Sequence, residues 1–237
     1  MEEVYSNNYL KINKNNRTSI FTIELSVSNN ILIDSLIKTK IIQGGTSTDD
    51  YKSIKFKAQS VKSLDNFIEE HSKRTGSKSL PISVIVDMTV SLVSQLKYLI
   101  IKYFHTILGY NKKNIIVIND ARFVFVGSEY ITEIEENMVA LISSPFATND
   151  FYLSPELLKI KEIPSYIHFK TAYFSLGCLL INGLLSNDDF YEEYLKHEQS
   201  SKIMESLYNH PIKGTKLYWL LSRCLVEEPE NRSITLI

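Results

Sequence analysis

Phe151-Tyr-Leu-Ser-Pro-Glu-Leu157, Phe174-Ser-Leu-Gly-Cys-Leu-Leu180 and Arg223-Cys-Leu-Val-Glu-Glu-Pro-Glu-Asn-Arg232 are the stretches on which the reading of this chain turns. Taken singly, each has an ordinary local meaning. Pro155 directly after Ser154 is a ready helix start, with proline at the first helical position and serine as the N-cap. Ser175-Leu-Gly177 sits in an apolar run with the composition of a buried helix. From Pro155 on the pattern is helical, with loops near Ile163–Ile167, Ser186–Asp189 and His210–Gly214. Order and spacing give the three stretches their joint weight.

The 237 residues, 44% of them hydrophobic, suffice to fill the core of one domain or of a compact two-lobed one. Twenty-six basic side chains stand against 27 acidic ones, for a net charge of −1, so no whole-molecule field draws the chain to nucleic acid or to an anionic membrane. Lys52, Lys55, Lys57 and Lys62, with Tyr51 and Phe56 among them, read as a solvated sheet face. The two cysteines, Cys178 and Cys224, lie in apolar helical patterns without metal-ligand spacing and read as core thiols suited to a reducing compartment. Met1-Glu-Glu-Val is acidic where a secretory signal is basic. The longest apolar stretch, Ile82 to Leu108, is interrupted by Asp87, Gln95, Lys97 and Lys102, so no membrane span is expected and a core helix is.

Residues 1 to 60 read as a small, mostly β subdomain built on the runs Ser19–Ser26, Ile31–Ile42 and Tyr51–Ala58. Phe21, Ile23 and Leu25 alternate with polar neighbours, as do Ile54, Phe56 and Ala58, which is the period of a half-buried strand. Gly44-Gly-Thr-Ser-Thr-Asp-Asp50 reads as a loop or hairpin connection. Residues 61 to 237 are mainly helical. Ser63 caps a short helix with Leu64, Phe67 and Ile68 on one face, Pro81 opens a long helix to about Phe104, and Ile115–Ile118 and Phe123–Val126 form a hairpin across Asn119-Asp-Ala-Arg. The expected class is α+β.

Strand-rich start, short helix, long helix, small hairpin, irregular segment, helices: that order resembles a protein kinase. Ser154-Pro-Glu156 resembles the Ala-Pro-Glu that closes the activation segment, and Ser175-Leu-Gly177 the Ser-Leu-Gly of the buried helix behind it. Arg232 resembles the arginine near the end of the domain, which in the family pairs with the glutamate matched here by Glu156. The resemblance covers roughly residues 55 to 237 and implies a two-lobed fold, with a reduced β-rich N-lobe over 1–60 and a helical C-lobe over 61–237. The reduced first lobe, the Asn-, Lys- and Ile-rich composition and the end at Ile237 look similar to kinase-like proteins of large DNA viruses; a protist with an Asn- and Lys-rich proteome is the other source the composition fits.

Phosphoryl transfer in that family uses a Gly-rich loop, a phosphate-holding lysine, an aspartate for the acceptor hydroxyl, and an asparagine and aspartate for the metal ions. The eight glycines contain no Gly-x-Gly-x-x-Gly. With Asn114 as the family's asparagine, Gly109 stands where the catalytic aspartate belongs, and no Asp or Glu occurs between Asp87 and Asp120. Phe125-Val-Gly127 stands in place of Asp-Phe-Gly, so a ring replaces a metal-binding carboxylate; Glu129 reads as an exposed glutamate of the activation segment. Lys38, Lys40, Lys55 and Lys57 lie on candidate strands without singling out a phosphate-binding lysine. Ala172 replaces the aspartate that braces the catalytic loop, and the brace is expected to be lost with the chemistry.

The resemblance therefore implies a pseudokinase: not an enzyme, using neither ATP nor Mg²⁺, with no metal ligands, acting as a cytoplasmic module that binds or scaffolds proteins, in host cytoplasm or virion if viral. The alternative is a divergent nucleotide-dependent phosphotransferase using non-standard residues. Ser154, Pro155, Glu156, Ser175, Gly177 and Arg232 are expected to serve the fold, with Glu156 and Arg232 as a buried ion pair. Glu129, Glu133, Glu135 and Glu136 cluster in Ser128–Tyr152, which reads either as an acidic surface for a basic partner or as a solvated acidic loop.

Overall fold

The computed structural model describes residues 1–143, 151–185 and 200–235. The chain opens with β1 (Glu2–Ser6), β2 (Leu10–Lys14), β3 (Ile20–Leu25), α1 (Asn30–Lys38), the two-residue β4 (Thr46–Ser47) and β5 (Ser53–Lys57). β6 (Val61–Ser63) runs directly into α2 (Leu64–Thr75), followed by α3 (Ile82–Tyr103), β7 (His105–Ile107), the hairpin of β8 (Ile115–Ile118) and β9 (Arg122–Phe125), β10 (Ile131–Glu133) and β11 (Met138–Leu141). Then come α4 (Pro155–Leu158), β12 (Ser165–His168), α5 (Thr171–Leu185), α6 (Ser200–Asn209) and α7 (Lys216–Cys224). The class is α+β.

The first five strands form one antiparallel sheet in the order β1-β2-β3-β5-β4. Its register places Phe21 opposite Phe56 and Ile23 opposite Ile54, so the alternating apolar residues share one face and bury against Leu32, Ile33 and Leu36 of α1. β1 and β2 lie in residues 1–18, outside the runs whose periodicity reads as strand. The run Ile31–Ile42, assigned above to a mostly β region, begins as a helix. Asn29 caps it by accepting the Leu32 N–H at 2.8 Å, and the buried positions 32, 33, 35 and 36 follow helical rather than strand spacing. Cap and helical burial override the β-branched composition. Thr46 and Ser47 in the Gly44–Asp50 connection add a short edge to β5.

Two large apolar clusters share the β8–β9 hairpin. Ile116, Ile118, Val124 and Val126 belong to the cluster under the first sheet, whereas Ile115, Val117, Phe123 and Phe125 belong to the one built by the helices. Every hairpin residue from Ile115 to Ile118 is buried, as expected of a strand with a core on both faces.

α2 starts on Ser63, whose hydroxyl accepts the Asn66 N–H at 3.2 Å, and stops at Gly76, left-handed at φ 76° with its N–H on Ser72 O. α3 has the length and apolarity of a membrane-crossing helix, and half of its most apolar window is buried inside the protein. It packs against β9, α1 and α5. On α5, every residue from Thr171 to Leu184 is buried. The stretch Ile163–Ile167, expected as loop, contributes β12, paired with β11, and the end of the long apolar run, His105–Ile107, leaves the helix to pair with β10.

Candidate functional site

Of the positions singled out from sequence, Asn114, Phe125 and Gly127 gather at the hairpin that divides the two clusters. Gly109 is buried just past β7. Two residues on, Asn111 accepts the Lys113 N–H at 2.7 Å and starts a single 3₁₀ turn, Lys112–Asn114. Asn114 is buried, and its carbonyl accepts the Val126 N–H at 2.8 Å, tying the loop before β8 to the exit from β9.

Phe125 is fully buried, its ring edge-on to that of Tyr110 with centroids 5.3 Å apart. The main chain here is clamped by one amide. Gln95 Oε1 accepts the Phe125 N–H at 2.9 Å and Gln95 Nε2 donates to the Phe125 carbonyl at 2.9 Å, with a weaker contact to Ser35 Oγ at 3.3 Å. One side chain on α3 thereby satisfies both groups of a buried strand end and reaches α1 as well. Gly127 follows because nothing larger fits: a Cβ there would lie 2.8 Å from the Phe125 ring, 2.9 Å from Asn114 Nδ2 and 3.0 Å from the Tyr130 ring. Glu129, on the next turn, is exposed as expected, although partial desolvation of its carboxyl pushes it above the ordinary range.

Above this floor, the β1–β2 turn is closed on itself. Asn7 Oδ1 accepts the N–H groups of Tyr9 and Leu10 at 2.9 and 3.0 Å, so two amides of the turn already carry an acceptor. Tyr5 Oη donates to the Lys113 carbonyl at 2.8 Å. Tyr9 meets the ring of Tyr130 edge-on at 6.4 Å, and Tyr130 in turn lies 4.5 Å from the ring of Phe151. Three tyrosines and a phenylalanine thus line the approach from the first sheet to the hairpin loop.

Lys55 and Lys57 are on β5, both on its exposed face. Lys38 and Lys40 are not on strands: Lys38 ends α1, Lys40 follows it, and both are exposed. Besides its buried apolar face, α1 is tied to α3 by a carboxylate: Asp34 accepts the hydroxyls of Tyr98 and Tyr103 at 2.7 and 2.8 Å. Asp120 is at the hairpin tip, 3.1 Å from Lys62.

Ala172 is buried and apolar, yet the loop it was expected to release is held. Ser175, three residues further along α5, accepts the Tyr110 N–H at 2.8 Å and donates to the Tyr152 carbonyl, while Tyr152 donates its own N–H to the Tyr110 carbonyl at 3.0 Å. A hydroxyl that donates and accepts does the bracing, and the expectation of a loosened loop is corrected. Ser154 occupies the cap position of α4 without capping it; its hydroxyl pairs with that of Thr171 at 2.6 Å. Pro155 is the first residue of α4. Gly177 lets α7 approach, with Cys224 Cβ 3.1 Å from where a side chain would begin. Burial pushes the Cys224 thiol up to about 12, and Cys178 up as well, so both are protonated core groups.

Glu156 and Arg232 meet in a two-pronged pair, Nη1 to Oε1 at 2.5 Å and Nη2 to Oε2 at 2.9 Å. The guanidinium is wholly buried. Its remaining N–H groups reach the carbonyls of Val226 and Glu227 at 2.7 Å each and of Lys170 at 3.4 Å, and its plane lies 5.0 Å from the Phe174 ring. All five donors of the fork are used.

Gln95, Asn7 and Tyr5 are the residues that sequence reading missed here. Gln95 had one signal: a lone amide on the buried face of an apolar helix, between Leu92 and Leu96, needs buried polar partners. Among the described residues no three His, Cys, Asp or Glu side chains converge as metal ligands would. Neither models of known protein families nor curated proteins match this chain.

Proposed function

We propose that this chain is a kinase-like, two-lobed protein without phosphoryl-transfer chemistry, acting as a binding or scaffolding module. Support for the kinase-like reading comes from the element order, with a five-stranded antiparallel sheet and its one helix followed by two further helices, a hairpin and a largely helical remainder, and from the junction of Glu156 with Arg232 behind the segment that ends at Ser154-Pro-Glu156. Support for the absence of catalysis comes above all from Phe125, where a metal-binding carboxylate would have to be. A buried ring occupies the position, and its main chain is locked by Gln95.

The residues present do not fit Mg-ATP. A nucleotide would need carboxylates for the metal and free backbone amides over its phosphates. Here Gly109 and Phe125 supply no carboxylate, the amides of Tyr9 and Leu10 are taken by Asn7, and the hydroxyl of Tyr5 ties the first strand to the loop at Lys113. The remaining use of such a fold is the surface it presents to other macromolecules.

The test is thermal denaturation with ATP at millimolar concentration, with and without Mg²⁺. A ligand that binds the folded state raises stability by RT ln(1 + [L]/Kd), so the expected result is an unchanged melting temperature. A Mg²⁺-dependent rise, or phosphate transfer to any acceptor, overturns the reading in favour of a divergent phosphotransferase.

A further inference from the structure

The ribbon formed by β11 and β12 has two faces of different use. Val139, Leu141 and Ile167 point inward and pack with Leu108 and Leu157. Outward, Ala140 stands directly opposite Tyr166 and Met138 opposite His168. Tyr166 is 66% exposed, and its ring has no partner among the described residues. Beside it the tight turn at Glu135–Met138, with Glu136 and Asn137 both left-handed, curls back toward the ribbon. Glu135, Glu136, Met138, Ala140 and Tyr166 enclose an open hollow of about 550 Å³.

Its chemistry is mixed in a way that selects a partner. Met138, Ala140 and Tyr166 give it aliphatic and aromatic lining, and Glu135 and Glu136 give it two carboxylates. Neither Glu135 nor Glu136 forms an ion pair among the described residues. The nearest cation in sequence to β12, Lys170, is turned away, its Nζ on the Glu230 carbonyl at 2.7 Å. Burial holds His168 below its ordinary pKa, so it adds no charge at neutral pH. The inner face fixes the ribbon in place, so the outer face is preorganised. An exposed tyrosine beside a concave apolar patch with a charged rim is the arrangement of an interaction hot spot.

We propose that this outer face of the β11–β12 ribbon is a docking surface for a basic extended peptide segment, one apolar side chain of which enters the hollow against Tyr166, Met138 and Ala140 while flanking Lys or Arg residues meet Glu135 and Glu136. Carboxylates beside the hollow that form no ion pair among the described residues disfavour acidic partners, nucleic acids among them, and favour a cationic one. The proposal deepens the binding-module reading and rests on it for its purpose, but its residues are separate from those around Phe125.

Fluorescence anisotropy tests it with short labelled peptides that carry Lys and Arg around a central Leu or Phe, against the same peptides with Gly at the centre. The Leu or Phe peptides are expected to bind the full chain, and Tyr166→Ala to weaken them about tenfold or more. Ala140→Lys, which places a cation in the hollow, is expected to abolish binding. Glu135→Gln with Glu136→Asn is expected to weaken binding and flatten its salt dependence; asparagine tolerates the left-handed backbone at position 136. All four positions are exposed, and circular dichroism confirms that each variant is folded. Absence of binding by every peptide, equal binding of the Gly-centred peptide, or affinities unchanged in folded variants overturns the proposal. Such a failure is distinguishable from failure of the functional reading, because the nucleotide melting experiment does not involve these residues.

Discussion

The buried junction at Arg232 and the floor of the hairpin at Phe125 are both deep in the protein, yet they are built on opposite principles. At Arg232 a full charge is kept inside, with its counter-ion and three carbonyls around it. At Phe125 a fully buried ring fills the space, and the N–H and carbonyl of that residue are both closed off by Gln95. The first site joins α4, the start of α5 and the chain after α7, so its polarity serves the fold. At the second the main-chain groups are closed, while the Tyr110 hydroxyl, on the ring edge-on to Phe125, is buried without a hydrogen-bond partner among the described residues.

Substitution at the junction breaks the comparison most directly. Arg232→Ala strands the Glu156 carboxylate and three carbonyls, and removing one partner of a buried pair costs about 3–5 kcal/mol. A sharp loss of melting temperature and of soluble yield is expected, and Arg232→Lys is expected to recover little of it, since an ammonium cannot span the two oxygens and three carbonyls. If Arg232→Ala melts like the parent protein, the junction is not what holds the segment at Glu156.

Gln95→Leu addresses the other region and should rank second. It keeps the volume of an apolar helix face but leaves the Phe125 N–H and carbonyl buried without partners, at about 1–3 kcal/mol for each stranded group. Chemical denaturation of the variant measures this. If it is as stable as the parent, the clamp is geometrically present but energetically idle, and the contrast between a polar junction and a sealed floor fails.

Ser175→Ala, expected to cost about 1–3 kcal/mol, sharpens the comparison by testing the brace that sits between the two regions. Hydrogen exchange at the Tyr110 and Tyr152 amides should quicken more than exchange in the first sheet. Uniform change across the chain would show that the serine contributes to general packing and not to this loop.

The smallest effect is expected at the partly exposed tie between α1 and α3. The Tyr98 hydroxyl is pushed up to about 12 by its hydrogen bond to Asp34, and that of Tyr103 to about 12 by burial and the same carboxylate. A tyrosine raised in the folded state binds its proton more tightly there than in the unfolded chain. Its contribution is therefore complete below the ordinary value of about 10 and is lost as pH rises through about 12. Melting temperatures measured between these limits should fall with pH, and the fall should be shallower in a Tyr98→Phe, Tyr103→Phe double variant.

Where sequence and structure agree, the determinants are local. The Ser63 cap, the alternation at Phe21, Ile23 and Leu25, the long apolar helix from Ile82 and the hairpin after Asn114 follow from periodicity and capping within a few residues, and α+β class follows from them. The candidate site is less legible. β1, β2, β7 and β10 are short, and α1 hides in an isoleucine-rich run that only its cap and its burial against the first sheet identify as helix. Gln95 was visible only as an interruption of an apolar pattern, and Ala172 suggested a loosened loop because Ser175, one turn along, gave no sign that its hydroxyl would reach Tyr110.

By itself the sequence determined that no carboxylate lies between Asp87 and Asp120, where the helices start and which residues alternate, because these are properties of neighbouring residues. Only the tertiary structure decided that Arg232 meets Glu156 with all five donors used, that Tyr5 reaches Lys113 across the chain, that Asn7 consumes the amides of its turn, and that Tyr166 stands exposed beside two glutamates that form no ion pair among the described residues. Each of these joins groups whose meeting is set by how sheets and helices pack. A buried polar group dictates that it have a partner, but packing chooses which one.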